Sequence, residues 1–142
     1  MKIVYQGSPG AYSHLAAKKI YPEYEFIPYN TFEDCFKHCN ENEEHKTIIP
    51  VENSIAGRVA DIQYLINKYK LQIYAEHFQE IKHNLMILKD NELKNVKSVR
   101  SHSQAISQCQ KLINSNKFEP IIAADTAGCL LYTSDAADEA DG

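Results

Sequence analysis

Lys2-Ile3-Val4-Tyr5-Gln6-Gly7-Ser8-Pro9-Gly10 is the stretch on which the reading of the fold turns. Residues 2–6 are apolar and β-branched enough for a buried strand, and they run straight into a turn built from Gly, Ser and Pro. Beyond the turn, Tyr12, Leu15, Ala16 and Ile20 recur at helical spacing until Tyr21-Pro22 stops the pattern. Ser8 is placed as an N-cap, with Pro9 at the first helical position. A strand that hands over to a helix within so few residues is the opening unit of an α/β protein.

The same handover repeats outward. Residues 24–29 predict a second strand, and Thr31-Phe32-Glu33-Asp34 a variant capping box in which Thr31 caps and Asp34 reciprocates. Thr47-Ile48-Ile49-Pro50-Val51 predicts a third buried strand; after it come Glu52-Asn53-Ser54 and then Ile55, Val59, Ile62 and Ile66 at helical spacing. Residues 72–88 are expected to be extended, with Ile73 and Ala75, then Ile81, His83, Leu85 and Ile87 at period two, forming a crossing between lobes. Residues 96–100 predict a short strand, 101–103 a turn, Ile106, Cys109, Leu112 and Ile113 a helix face, and 118–124 a last strand that leads into Asp125-Thr126-Ala127-Gly128. The fold class expected is therefore α/β with a largely parallel sheet.

The chain has 142 residues and 16.2 kDa, which suits one domain or a piece of a larger one. Its formal charge is −4, but residues 135–142 hold four acids and no base, and without them the charges balance. A neutral body with only Arg58 and Arg100 offers no electrostatic footprint for a nucleic acid or an anionic membrane, so a small-molecule ligand is expected. No apolar run approaches the ~20 residues needed to cross a bilayer. No secretory leader is expected from the opening Met1-Lys2-Ile3-Val4-Tyr5, and the four cysteines are expected to be reduced thiols in the cytoplasm. Cys35 and Cys39, one helical turn apart, read as two small apolar residues on one helix face; a zinc site wants four ligands, and no second pair lies at suitable spacing.

In open α/β sheets, ligands collect beyond the carboxyl ends of the strands, where loops meet helix N-termini. Gln6 to Ser13, Glu52-Asn53-Ser54, Ser101 to Gln104 and Asp125-Thr126 each follow an apolar strand. Such junctions favour an anion, hence a carboxylate or phosphate ligand, although Ser, Thr, Asn and Asp are also ordinary caps. Glu52-Asn53-Ser54 exceeds what a cap needs, and Glu52, nearest the apolar strand, is a candidate proton donor. His83 shares a face with Ile81 and Leu85 and reads as a core or interface residue. His102 and Ser101 make a poor nucleophilic pair, and Gly7-Ser8-Pro9-Gly10 fits neither a phosphate-binding loop nor a dinucleotide fingerprint.

Taken together, five ordered motifs resemble the N-terminal part of the prephenate dehydratases over roughly residues 2–130. They are Tyr5-Gln6-Gly7 with Gly10-Ala11-Tyr12-Ser13; Pro50-Val51-Glu52-Asn53-Ser54 with Gly57, Val59 and Asp61; Ile81-Lys82-His83-Asn84-Leu85; Ser101-His102-Ser103-Gln104-Ala105 with Gln108-Cys109; and Asp125-Thr126-Ala127-Gly128. The resemblance implies a two-lobed α/β domain of the type II periplasmic-binding-protein kind, with lobe one at about 1–76 and lobe two at about 77–130. It also implies a substrate cleft between the lobes. The implied reaction is decarboxylating dehydration of prephenate to phenylpyruvate in phenylalanine biosynthesis, without metal or organic cofactor, in a parent enzyme that is a homo-oligomer. Carried over residue by residue, Glu52, Asn53 and Ser54 would be catalytic, and Ser101, Gln104, Asp125, Thr126 and Ala127 would bind substrate.

Two departures bear on activity. Ser103 stands where the family usually has Pro, and Ser still caps a helix. The family's Thr-Arg-Phe tripeptide is absent from the 142 residues, and so is the phenylalanine-sensing domain that usually follows. The domain is therefore expected to be incomplete at its C-terminus, with impaired activity, and residues 131–142 to be a disordered, foreign tail on an incomplete reading frame. A noncatalytic small-carboxylate binding module on the same two-lobed fold is the alternative.

Overall fold

In the computed structural model, which describes residues 1–123, strand β1 (Lys2–Gln6) lies between β2 (Glu25–Tyr29) and β3 (Lys46–Ile48) and runs parallel to both. Val4 stands opposite Ile27 on one side and Thr47 on the other; Tyr5 stands opposite Pro28 and Ile48. A central parallel strand needs cover on both faces, and Ile3, Val4 and Tyr5 are at most 1% exposed. Pro28 falls on the edge strand β2, where a missing N–H is tolerated. Two helices, α1 (Tyr12–Ile20) and α2 (Phe32–Glu41), connect these strands. The expected α/β class with parallel pairing is what the chain adopts.

Local chemistry moved several boundaries. Gly7 and Gly10 hold positive φ of 111° and 93°, so residues 7–10 form a turn rather than the start of a helix, and α1 begins at Tyr12 with Ala11 as its N-cap. Ser8 contributes its carbonyl, which accepts from the Ala11 N–H at 3.0 Å. Leu15, expected on the buried face, is 46% exposed, whereas Ala16 and Ala17 are buried. Thr31 caps α2 as expected: its hydroxyl oxygen accepts from the Asp34 N–H at 3.1 Å. The Asp34 carboxylate reciprocates by accepting from that hydroxyl at 2.6 Å, not from a backbone N–H.

The first compact unit is Met1–Glu80. In its core Val4, Cys35 and Cys39 pack with Ile27, Tyr29, Ile49 and Leu71. Beside them Phe36 packs with Ile62 and Leu65 of α3 (Ile62–Tyr69). Across the surface of the α2–α3 seam, Glu33 pairs with Lys68 and accepts from the Tyr69 hydroxyl at 3.0 Å. The Lys68 hydrogen bond holds the Glu33 carboxyl below its ordinary range. Cys35 and Cys39 do lie on one apolar helix face, and burial pushes their thiols up to about 12 and about 11.

The second unit starts at Ile81. After a 3-10 turn at Leu93–Asn95, strand β4 (Ser98–His102) runs parallel to β5 (Glu119–Ala123). Helices α4 (Ser103–Gln108) and α5 (Gln110–Asn116) connect them. Ile106, Ile113 and Phe118 form its core, with Leu85, Val96, Val99 and Cys109 packed against it; Leu112, expected on that face, is 44% exposed. Ser101 and His102, expected in a turn, are strand residues opposite Ile122 and Ala123.

Residues 72–88 are not a strand. Their alternation predicts a face, but a strand also needs a neighbouring ladder, and no described strand forms a ladder with them. Ile73 is 73% exposed and Phe78 86%. Among the described residues no helix is long and apolar enough to cross a membrane.

Two outcomes test this packing. Iodoacetamide at neutral pH, read by mass spectrometry, should leave Cys35 and Cys39 unlabelled until urea is added, while half-buried Cys109 reacts in the native chain. Ile62→Ala should cost about 2–5 kcal/mol in urea unfolding, because the side chain is 1% exposed and its loss opens a cavity.

Candidate functional site

Glu52, Asn53 and Ser54 do not open a helix. They form one arm and the start of the loop of a hairpin in which a two-residue strand, Glu52–Asn53, pairs antiparallel with Gly57–Arg58. Strand β3 ends at Ile48 and is half-buried, short of the buried run expected to reach Val51, which is 50% exposed, and the Asn53 side chain then outcompetes a helical ladder. Its Oδ1 accepts from the N–H of Ile55 at 2.9 Å and of Ala56 at 3.0 Å. Gly57, at φ 80°, takes the left-handed conformation that closes the loop. The helix expected from Ile55 onward therefore starts only at Ile62, and Ile55 stands 75% exposed at the hairpin tip. Glu52 and Ser54 are exposed and Asn53 half-buried, so Glu52 lacks the apolar surround that the strand next to it suggested.

Ser101 and Gln104 lie in the second unit. Ser101 is half-buried near the end of β4, and exposed Gln104 sits in the first turn of α4. The residue between strand and helix, His102, is the N-cap: its Nδ1 accepts from the Gln104 N–H at 3.2 Å. That role explains why His102 is not a partner for Ser101. His83, exposed rather than in the core, donates from Nε2 to Gln108 Oε1 at 2.7 Å and so pins residues 81–85 to α4. Asp125, Thr126 and Ala127, with residues 131–142, lie outside the described residues.

One polar group at the β1–α1 junction escaped the sequence reading. His14 Nδ1 accepts from the Gly10 N–H at 2.9 Å, and its ring stacks on Tyr5 with centroids 5.0 Å apart. Burial, then the nearby Lys18 charge, hold the imidazole's pKa below its ordinary value, which keeps the acceptor free. The four-residue spacing of Gly10 and His14 was the available signal. A shallow depression lined by Thr31, Phe32, Glu33, Asp61, Tyr64 and Leu65 includes none of the candidate residues, and its two acids suit a carboxylate ligand poorly. Among the described residues no group of three or more His, Cys, Asp or Glu side chains is arranged to hold a metal ion.

Comparison with known proteins places these motifs in context. The prephenate dehydratase family model matches residues 3–141. A bifunctional N-acyl-homoserine lactone acylase/prephenate dehydratase of Komagataeibacter europaeus is 33% identical over 126 residues, covering 89% of this chain and 45% of that protein. The chloroplastic arogenate dehydratase/prephenate dehydratase 1 of Arabidopsis thaliana is 34% identical, covering 89% of this chain and 32% of the relative. Among solved structures, one described as a novel type of quorum-quenching acylase superposes with a TM-score of 0.80 at 33% identity, covering 90% of this chain and 47% of that one. The prephenate dehydratase of Staphylococcus aureus subsp. aureus Mu50 superposes with a TM-score of 0.63 at 21% identity, covering 87% and 47%. The chain thus spans less than half the length of each of these.

Two measurements probe the junctions. Asn53→Ala removes the acceptor of two N–H groups and should destabilise the first unit by about 1 kcal/mol, with faster amide exchange at Ile55 and Ala56. Because the folded state lowers the His14 pKa, it binds fewer protons than the unfolded chain. The stability contributed by the Gly10–His14 bond is therefore present above the ordinary histidine value of about 6.5 and is lost as pH falls through the lowered one. Protection of the Gly10 amide should fall over that range, and His14→Asn should flatten the dependence.

Proposed function

The chain belongs to the prephenate dehydratase family, and on that premise we propose that its chemistry is the decarboxylating dehydration of prephenate to phenylpyruvate, a carbon–oxygen lyase reaction of phenylalanine biosynthesis. The observation that carries this reading is the family match over residues 3–141, which takes in every junction motif. In the reaction the C–O bond to the ring hydroxyl breaks and takes up a proton, leaving as water. The C–C bond to the ring carboxylate breaks as well, and its electron pair completes the aromatic ring as carbon dioxide departs. Aromatisation supplies the drive, so the protein has to position two carboxylates and deliver one proton.

Glu52 is the proposed donor, with Asn53 and Ser54 beside it on the hairpin and Ser101, Gln104, Asp125, Thr126 and Ala127 as substrate contacts. The side-chain caps support this assignment, since Asn53 in the hairpin loop, and His102 and His14 at strand-to-helix junctions, each satisfy local N–H groups and so set the backbone firmly. No cofactor enters the proposed reaction. We propose the cytoplasm as compartment and a homo-oligomeric parent protein, with the buried thiols suited to a reducing environment. Exposure of Glu52 favours a second reading, a module that binds a small carboxylate without consuming it.

The purified chain should be given prephenate, arogenate or an N-acyl-homoserine lactone near neutral pH, with aromatic product or released fatty acid followed and binding measured by calorimetry. Conversion of prephenate, with Glu52→Gln lowering kcat by about 10²–10⁴ and KM little changed, is the outcome expected. Binding without conversion favours the carboxylate module. Neither binding nor conversion of prephenate overturns both.

A further inference from the structure

We propose that Tyr29, His38 and His45 form a proton-operated latch, closed when both imidazoles are neutral and opened by acid, that ties the turn between α2 and β3 to β2. It is independent of any substrate and lies wholly within the first unit.

One arrangement of protons serves the whole row. The Tyr29 hydroxyl lies 2.9 Å from His38 Nδ1, and His38 Nε2 lies 2.7 Å from His45 Nδ1. His45 Nε2 faces a Glu44 carboxylate oxygen at 3.6 Å. A neutral imidazole has one donor and one acceptor nitrogen. All three contacts are satisfied when Tyr29 O–H donates to His38 Nδ1, His38 Nε2–H donates to His45 Nδ1, and His45 Nε2–H points to Glu44. The two ring planes are nearly parallel, inclined by 12° with centroids 5.0 Å apart, an arrangement open to a direct ring-to-ring hydrogen bond. Two further bonds close the same turn: Asn42 Nδ2 donates to the His38 carbonyl at 2.8 Å, and the His45 N–H donates to the Asn42 carbonyl at 2.9 Å.

Protons act on this row in two stages. With one added proton the row survives, because the Tyr29 hydroxyl can turn to accept from a protonated His38 Nδ1. A second proton would set an N–H against an N–H across 2.7 Å and two cations side by side, and the ring-to-ring bond cannot persist. The charged groups around the pair are few. Glu41 on α2 favours a cation at His38, Lys2 on β1 opposes it, and Glu44 in the turn faces His45. Partial burial and then the neighbouring His45 hold His38 neutral to lower pH than an ordinary histidine. The turn feeds directly into β3, whose pairing with β1 precedes the hairpin that carries Glu52, Asn53 and Ser54. Opening the latch therefore loosens the chain leading to that hairpin.

Imidazole ¹⁵N spectra and amide exchange of the 142-residue chain, compared at pH 7.5 and 5, test the latch. At pH 7.5 both rings should be Nε2–H tautomers. At pH 5, after correction for intrinsic exchange, protection at His45 and Lys46 should fall about tenfold, the factor equivalent to one pKa unit, while Leu65 in α3 keeps its protection. His45→Gln supplies a carbonyl acceptor that takes no proton, and it should hold the protection at Lys46 level across the range. Unchanged protection in the parent chain, the same fall in His45→Gln, an Nδ1–H tautomer in either ring, loss of Leu65 protection in step, or a spectrum without dispersion at pH 7.5 would each overturn the latch.

Discussion

Burial of β1 on both faces and both edges is the constraint from which the first unit is built. Ile3, Val4 and Tyr5 can leave water only if a strand lies on each side and apolar helix faces lie above and below. The order β2-β1-β3 meets the first requirement, and Ala16, Ala17, Cys35 and Cys39 are small enough to let helices come close to meet the second. The cysteines behave here as compact apolar residues whose thiols burial keeps protonated. What α3 adds is a second apolar layer against Phe36, fastened at the surface by Glu33, Lys68 and Tyr69.

A parallel sheet concentrates unsatisfied N–H groups where strands end, and this chain answers them with side chains that accept. Asn53 serves the hairpin loop, His102 the start of α4, and His14 the turn after β1. Two of these three acceptors are imidazoles, which lose the ability to accept once protonated. The Tyr29–His38–His45 row shares that property at the opposite end of α2. Imidazole acceptors thus occur in both units and are not confined to one site.

The prephenate dehydratase family match over residues 3–141 takes in each of these junctions. The relatives are also a warning against reading activity from fold, since one at 33% identity is named both an acylase and a dehydratase. Which chemistry a chain performs depends on a few side chains that the shared backbone does not dictate.

The alternation of apolar runs with turn residues was enough to establish the α/β class, the first three strands, α1 and α2, the Thr31 cap and the apolar role of Cys35 and Cys39, because each is a local pattern that one segment carries alone. The five motifs were enough to identify the family. Tertiary structure decided what depended on a partner or on competition between neighbours. Residues 72–88 alternate as a strand should but have no ladder to join, and Ile55 has helical spacing yet sits on a hairpin because Asn53 and Gly57 capture the backbone first. His83 found its role only when folding brought Gln108 within hydrogen-bond reach, whereas His14 and His102 serve Gly10 and Gln104, four and two residues away. A sequence states which groups can donate and accept, whereas only the folded chain settles which of them meet.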